Sequence, residues 1–458
     1  MLDKPPKIYG LRRLGRRTNR EAKKMNYSNK VKKTLHRLID EMDENSDYFV
    51  KRPGVDFTRK RKLDFQTMMK ILISMGSASV KDELLTYFDY DVNTVTGSGF
   101  TQAREKINFS AFEFLMKEFN NIFLKEKRYK GYLLKAIDGS TVNIEPDLDD
   151  ERNLRKNSDD SKPYALLHLN GCYDILNRSF DDAIIQPGNE ADESFAFREM
   201  VARDSSDAQT IYMADRGYEC YNNFAQVMES GKKFLIRAKD IDSNGIVKRM
   251  KLPAGEEFDV DFEWTLTRKQ TNYVKNNPDK YIFMPQNQHF DFMNEDREYE
   301  MKFRVVRVKL AEGAYEVLIT NLEPDAFSPS VLKELYHLRW GIESSFRHLK
   351  YVVGLALFHA KKVDFIKQEI FARIIIHNFC EVITARVVLK QKQKKYSYQL
   401  NYTRAFRICR AFLRSYRKRN PLDVEGLVVK ELSPIRPNRT SPRKVKSRTS
   451  PGFLYRII

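Results

Sequence analysis

The spacing of apolar residues changes character along this chain, and each change marks a block. From Asp56 the pattern is helical. In KLDFQTMMKILISMG, the residues Leu63, Met68, Ile71 and Leu72 sit at helical spacings, and Gly76 with Ser77 and Ser79 reads as the stop. Helices over Lys81–Tyr87, Phe100–Ile107 and Ala111–Lys125 complete a small all-helical unit with short loops. The chain before Asp56 starts basic and poor in apolar residues.

At Tyr132 the texture turns to strands. Tyr132–Ile144 is one; Tyr164–Leu176 and Ser179–Gln186, joined by Asn177-Arg178, form a hairpin. A helix over Asn189–Arg203, a strand over Thr210–Asp215, a helix over Tyr221–Glu229 and a strand over Lys233–Lys239 follow. The order β-β-β-α-β-α-β predicts a mixed sheet with helices packed on it. Residues 240–325 break that rhythm. In FDVDFEWTLT, the residues Phe258, Val260, Phe262, Trp264 and Leu266 face one way and polar residues the other. MKFRVVRVKL alternates too, with a slip at Val305-Val306 that suggests a bulge, and Tyr315–Asn321 is another strand. This is an antiparallel β insertion inside an α/β domain. One helix then runs from Ser328, as N-cap before Pro329, to about Val353, and one or two more fill 364–390. The tail from Asn420 is rich in Pro, Arg, Lys and Ser and is expected to be poorly ordered.

Composition narrows the class. With 41% hydrophobic and 12% aromatic residues, wholesale disorder is excluded. No apolar run reaches the roughly 18 residues of a membrane span: Phe371–Leu389 is interrupted by Arg373, His377, Glu381 and Arg386. MLDKPPKIYG lacks the apolar stretch of a secretory signal. Cys172, Cys220, Cys380 and Cys409 are too scattered for a disulfide scaffold or zinc ribbon, which fits a reducing, cytoplasmic setting. The net charge of +19 is uneven. Residues 1–35 carry 12 basic and 2 acidic side chains and residues 390–458 carry 19 and 3, which leaves −7 for the middle. Two basic ends suit a polyanion such as DNA, or are simply solvated tails.

Candidate chemistry begins on the helix from Ser328. At about 100° per residue, Tyr336, Arg339, Glu343 and Lys350 fall within an arc of about 60°, beside an apolar stripe. On the helix alone this is either a reactive strip or an i,i+4 surface ion pair. Asp138 ends one apolar strand and precedes Gly139; Asp215 ends another and precedes Arg216-Gly217. Each alone reads as a turn aspartate. If the strands are parallel neighbours, their ends lie about 4.8 Å apart, and with Glu343 they make an oxygen-ligand cluster for Mg²⁺ or Mn²⁺. Two such ions support phosphoryl transfer, with Tyr336, Arg339 and Lys350 facing phosphate. His337 and His348 lie near this strip, but the histidines form no H-x-x-H cluster. Ser140 and Thr141 lack a nucleophile elbow, DLDDE (Asp147–Glu151) reads as a solvated loop, and no Walker loop occurs.

Here the chain resembles the DDE transposases of bacterial insertion sequences, in the group numbered four. Its Tyr-x2-Arg-x3-Glu-x6-Lys signature stands as YHLRWGIESSFRHLK, with every spacing matched. AIDGSTVNI, MADRGYECYNNF followed by FLIRAK, and GFTQAREKINFSAFEFL match in order, so the resemblance covers about residues 56–390. It implies a ribonuclease H-like fold with a β insertion between the second Asp and the Glu. The implied catalytic and metal-binding residues are Asp138, Asp215 and Glu343, with two Mg²⁺ ions for which Mn²⁺ substitutes; Tyr336, Arg339 and Lys350 are the implied DNA contacts. The implied reaction is nicking at the element's ends, hairpin formation and opening, and strand transfer to target DNA by a homodimer pairing both terminal inverted repeats. Some relatives stack an insertion-domain Trp on a flipped base; here Tyr315 or Glu316 aligns there, whereas Trp264 reads as an inward strand residue. The expected division is 1–128, a helical DNA-binding domain with a basic arm; 129–239 and 326–362, the two parts of the catalytic core; 240–325, the insertion; and 363–458, C-terminal helices and basic tail. The alternatives are a ribonuclease H-like nuclease without strand transfer and a non-catalytic, transposon-derived DNA-binding protein.

Overall fold

The computed structural model describes residues 27–123, 127–156, 158, 161–387, 397–414 and 422–435. The expected N-terminal arm before Tyr27 and the tail after Ile435 lie outside the described residues.

Among the described residues, five α-helices come first: α1 (Tyr27–Asp43), α2 (Phe65–Ser74), α3 (Val80–Tyr87), α4 (Gly97–Arg104) and α5 (Ser110–Phe123). Asp64, Ser79 and Thr96 cap α2, α3 and α4 by accepting from the amides of Thr67, Asp82 and Gly99. Sequence reading missed α1. Its apolar residues Val31, Leu35, Leu38, Ile39 and Met42 are helically spaced and buried, but they are interleaved with lysines that mask the stripe.

The sheet follows: β1 (Leu133–Ile144), β2 (Leu154–Arg155), β3 (Tyr164–Asp174), β4 (Ser179–Pro187), then α6 (Glu193–Arg203), β5 (Thr210–Ala214), α7 (Tyr221–Glu229) and β6 (Lys233–Ala238). In space the order is β4-β3-β1-β5-β6. β1, β3 and β4 pair antiparallel, and β1, β5 and β6 parallel. A three-strand meander joined to two parallel crossover strands is the ribonuclease H-like arrangement. The expected hairpin turns at Asn177-Arg178, where Arg178 adopts φ +59°.

β7 (Phe258–Thr267), a short α8 (Asn272–Asn276), β8 (Tyr281–Phe283), β9 (Glu298–Ala311) and β10 (Ala314–Thr320) extend the same sheet past β6, through antiparallel β10-β9-β7. The bulge expected at Val305-Val306 is absent. β9 pairs with β7 without a shift from Glu298 to Arg307, and the irregularity falls at Ala314/Tyr315. Two adjacent valines are buried because the sheet is covered on both faces: Val305 joins the core with Trp264, and Val306 joins the core with Tyr336.

The expected single helix to Val353 is broken. α9 (Pro329–His337), with Ser328 as N-cap and Pro329 first, gives way at Leu338-Arg339 to α10 (Trp340–His348). A π turn, Leu349–Val353, ends at Gly354 with φ +99°. Amides of Leu338, Arg339, Gly341 and Ile342 bond back three residues rather than four, which overwinds the chain and breaks the wheel's phase. α11 (Val363–Thr384) follows, then β11 (Tyr398–Leu400), α12 (Tyr402–Arg414), α13 (Val424–Lys430) and β12 (Leu432–Pro434). Residues just past Asn420, expected to be poorly ordered, thus include a helix that buries Val424 and Val428.

One apolar core joins α1, α2 and α5 to α11, α12, α13 and one face of β1, β3 and β4. The described residues of the segments 1–128 and 363–458 therefore pack as one helical body. Arg104 of α4, fully buried, fastens it: Nε donates to Gln368 Oε1 at 2.8 Å and Nη1 to Glu369 Oε1 at 3.1 Å.

Candidate active site

β1 and β5 are parallel neighbours, with Ala136 beside Met213. Carried two residues on, that register brings Asp138 beside Asp215. Asp138 stays within β1, its Oδ1 accepting from the Gly139 amide at 2.9 Å. Asp215 leaves the sheet and caps the turn Arg216–Tyr218, its Oδ1 accepting from Gly217 N at 2.8 Å.

Glu343 arrives on α10. That helix lies tight against the sheet because Gly171, the register partner of Asp138 on β3, has no side chain. A Cβ there would stand 3.0 Å from Phe346 Cζ and 3.0 Å from Phe180 Cε1. Arg339, at the overwound junction, is 4% exposed and reaches between the acids. Its Nη2 donates to Glu343 Oε1 at 2.9 Å, and Nη1 lies 3.9 Å from Asp138 Oδ2. Nε and Nη1 make no hydrogen bond. Burial pushes the Asp138 carboxyl up to about 6; Arg339 opposes the rise, and Asp215 and Glu343 add to it.

The structure thus brings Asp138, Asp215, Arg339 and Glu343 together. Tyr336 and Lys350 stand differently from the wheel's expectation. Tyr336 is buried in the core formed with Leu134, Ile211 and Met213, its ring centroid 5.5 Å from the Arg339 guanidinium, and burial pushes its phenol up to about 12. Lys350 sits on the π turn, where partial burial lowers its ammonium. The i,i+4 pair of Arg339 and Glu343 exists, but it is turned toward Asp138 rather than out to solvent.

Other sequence candidates fall elsewhere. Trp264 is buried and donates from Nε1 to the Asp279 carbonyl at 3.0 Å. Glu316 is buried beside Arg237 at 3.3 Å, and Tyr315 stacks under Arg307 at 4.2 Å. His337 is exposed. His348, His377 and Glu381 cluster within 4.8 Å, but Arg178 already faces both Glu381 oxygens at 3.3 Å. Three neighbours escaped the sequence reading. Trp340 inside the signature is half exposed, its ring 5.5 Å from the Arg339 guanidinium. Glu193, the first residue of α6, sits close by with His168; only the folded sheet places them there.

Three converging carboxylates balanced by one guanidinium, with a half-buried aspartate whose carboxyl is raised, suit a hard divalent cation with oxygen ligands. The family described as "Transposase DDE domain" matches residues 129–379, more than half the chain. The putative transposase InsL of insertion sequence element IS186A from Escherichia coli is 37% identical over 79 residues, 17% of this chain and 21% of that protein. The transposase of insertion sequence element IS421, also from Escherichia coli, gives the same figures. The match thus spans about a fifth of the length of these curated relatives. A cryo-EM structure of the piggyBac transposase synaptic complex with hairpin DNA has a TM-score of 0.43 at 9% identity, over 84% of this chain and 78% of that one. With strands, register and carboxylates arranged as above, this chain belongs to the transposase DDE domain family.

Proposed function

We propose that the protein is a DNA transposase that excises and inserts an insertion sequence by metal-dependent strand cleavage, hairpin formation and strand transfer. Asp138, Asp215 and Glu343 would hold two Mg²⁺ ions, or Mn²⁺ in their place. Bound there, the ions supply an activated nucleophile and charge neutralisation at the reacting phosphate. Arg339 offers Nη1 and Nε to a phosphate oxygen, and a buried, pre-aimed donor acts most strongly where charge develops. Lys350 and Tyr336 would flank the bound backbone. A homodimer pairing two element ends, in the cytoplasm of a bacterium, is the expected working state. The segment 1–128 would recognise those ends, and the basic C-terminal segment would add non-specific affinity.

The observation that carries this reading is a buried arginine with two unbonded nitrogens set against Glu343 and Asp138, with Asp215 following Asp138 in the parallel register. The test incubates the full chain with duplexes spanning each boundary of the DNA that flanks its coding sequence, with Mg²⁺. Nicking at the boundary, abolished by Asp138→Asn, is expected; joining of the nicked end to a plasmid separates a transposase from a nuclease without transfer. Absence of metal-dependent cleavage, or cleavage indifferent to Asp138→Asn, would refute the proposal.

A further inference from the structure

Resting on that reading, we propose that the loop between α3 and α4 is a wedge for the minor groove of the element's ends, with Tyr90 and Val92 at its tip. Tyr90 is 72% exposed and Val92 95% exposed. Both ends of the loop are fixed, because Phe88 and Val95 pack against the helical core. Only the tip between them is thrown outward. A single exposed apolar residue needs no explanation, but these two share one three-residue tip.

The backbone holds them there against its own preference. The Tyr90 amide donates to the Leu85 carbonyl at 2.8 Å and the Asp89 amide to the Thr86 carbonyl at 3.4 Å, the pair of bonds that closes a helix end. That closure puts Asp89 in the left-handed region, at φ +53°, where glycine is usual. It does not ask the same of Tyr90, yet Tyr90 stands at φ +58°, where a bulky side chain is seldom found. Past the tip, Asp91 Oδ1 accepts from the Asn93 amide at 2.9 Å, and the Asp91 carbonyl from the Thr94 amide at 2.8 Å. The tip is thus a closed turn on both sides, and strain held in this way is a mark of ligand clamps.

Charge and width identify the partner. Arg59, Lys60, Arg61 and Lys62 form an exposed basic run before α2. Lys62 fastens that run to the wedge: its Nζ donates to the Asn93 carbonyl at 2.7 Å and lies 3.4 Å from Asp91 Oδ2 and 5.3 Å from the centre of the Phe88 ring. One carboxylate of the tip is thereby neutralised, while among the described residues Arg59, Lys60 and Arg61 have no ion pair. Cations beside apolar side chains match a nucleic acid, with phosphates outside and base faces within. A lone loop tip is narrower than the helix or ribbon that fills the major groove, and suits the minor groove of about 6 Å. There an apolar side chain enters between base pairs, unstacks one step and kinks the duplex; pyrimidine–purine steps yield most easily.

The test uses the full chain and duplexes spanning each boundary of the flanking DNA, with 2-aminopurine at each purine in turn and a dye at either end. Fluorescence of 2-aminopurine reports unstacking, and energy transfer between the dyes reports bending. With wild type at saturation, one base step should brighten and the duplex should bend. Tyr90→Ala/Val92→Ser should lose both signals and about tenfold in affinity for ends, the size of one lost stacking contact, at an unchanged salt slope. Tyr90→Phe should keep both. Arg59→Gln/Arg61→Gln should do the reverse, keeping the signals at saturation and lowering the salt slope by up to about 1.8. Tyr90→Gly separates wedge from scaffold: glycine accepts the left-handed backbone, so the melting temperature should hold or rise while both signals vanish. The proposal is overturned by a duplex that stays dark and straight with wild type bound, by wild-type signals in Tyr90→Ala/Val92→Ser, or by a melting temperature that falls in Tyr90→Gly. Failure of the transposase reading looks different: wild type would then neither prefer those duplexes over random DNA nor cut them in Mg²⁺.

Discussion

Arg339 is where the geometry makes its sharpest demand. Replacing it with Ala removes the 2.9 Å bond to Glu343 Oε1, the charge 3.9 Å from Asp138 Oδ2, and the two unbonded nitrogens available to phosphate. Its side chain is nearly sealed from solvent, so its field acts on the reacting phosphate with little screening. Losing one such donor typically slows a reaction by about 10²–10³, near 2.7–4 kcal/mol of transition-state stabilisation. Affinity for uncut ends should change far less, because each phosphate contact contributes only about 0.9 to the salt slope of binding. Arg339→Lys separates charge from shape. It keeps the cation beside Asp138 but loses the planar fork, and should not restore the rate. The assay is single-turnover cleavage on pre-bound ends in Mg²⁺, with a binding titration at the same salt. Normal cutting by Arg339→Ala once bound would reduce the residue to a docking contact and refute the mechanistic use of its unbonded nitrogens.

Asp138→Asn, Asp215→Asn and Glu343→Gln should each abolish cleavage while end binding in a gel-shift assay survives; near wild-type cutting by any of them in Mg²⁺ would remove it from the metal set. The Asp138 carboxyl, raised by burial to about 6, holds its proton more tightly in the folded chain than an ordinary carboxylate near about 4. Ionising it therefore costs stability as pH rises from about 4, in full above about 6, and a bound cation offsets that cost. The rise in melting temperature on adding Mn²⁺ should be larger at about pH 7.5 than at about pH 5, and an equal rise at both would contradict it. Arg104→Ala strips a buried pair of one partner and should destabilise the chain by about 3–5 kcal/mol in urea unfolding; a change under about 1 kcal/mol would show that the helical body does not depend on it.

Much of this was legible in the sequence wherever one periodicity ruled. Strand alternation gave β7 to the residue, and apolar runs ending in Asp138 and Asp215 gave two strands with carboxylate ends, whose parallel pairing, a condition of the sequence reading, the structure supplies. What failed did so for identifiable reasons. α1 hid because Lys32 and His36 are themselves buried within its apolar face. The Val305-Val306 slip was misread because alternation assumes one wet face, and from Phe303 to Val308 this strand is buried on both. Lys350 and Tyr336 departed from the wheel because the wheel assumes constant pitch, and four back-bonds of the tighter kind at Leu338–Ile342 spoil that assumption. Glu193 and His168 were beyond any motif: 25 residues separate them, and they meet only across the gap at Gly139.

The shared core changes how DNA recognition must be tested. Removing residues 1–128 would uncover the apolar faces of α11 and α12 and leave Glu369 without Arg104. A truncated chain would then lose end binding through misfolding, whether or not its N-terminal helices touch DNA. Substitutions that reverse exposed basic side chains while sparing the core answer the question instead. Lys81 is exposed on α3, and Arg59, Lys60 and Arg61 are exposed on the loop before α2. Changing these four to Glu should leave the melting temperature within a few degrees. If this unit reads the ends, the change should also lower the ratio of end-specific to random-duplex affinity at fixed salt. A uniform loss on both duplexes would instead make these residues general phosphate contacts, and would move sequence reading to another surface of the same helical body.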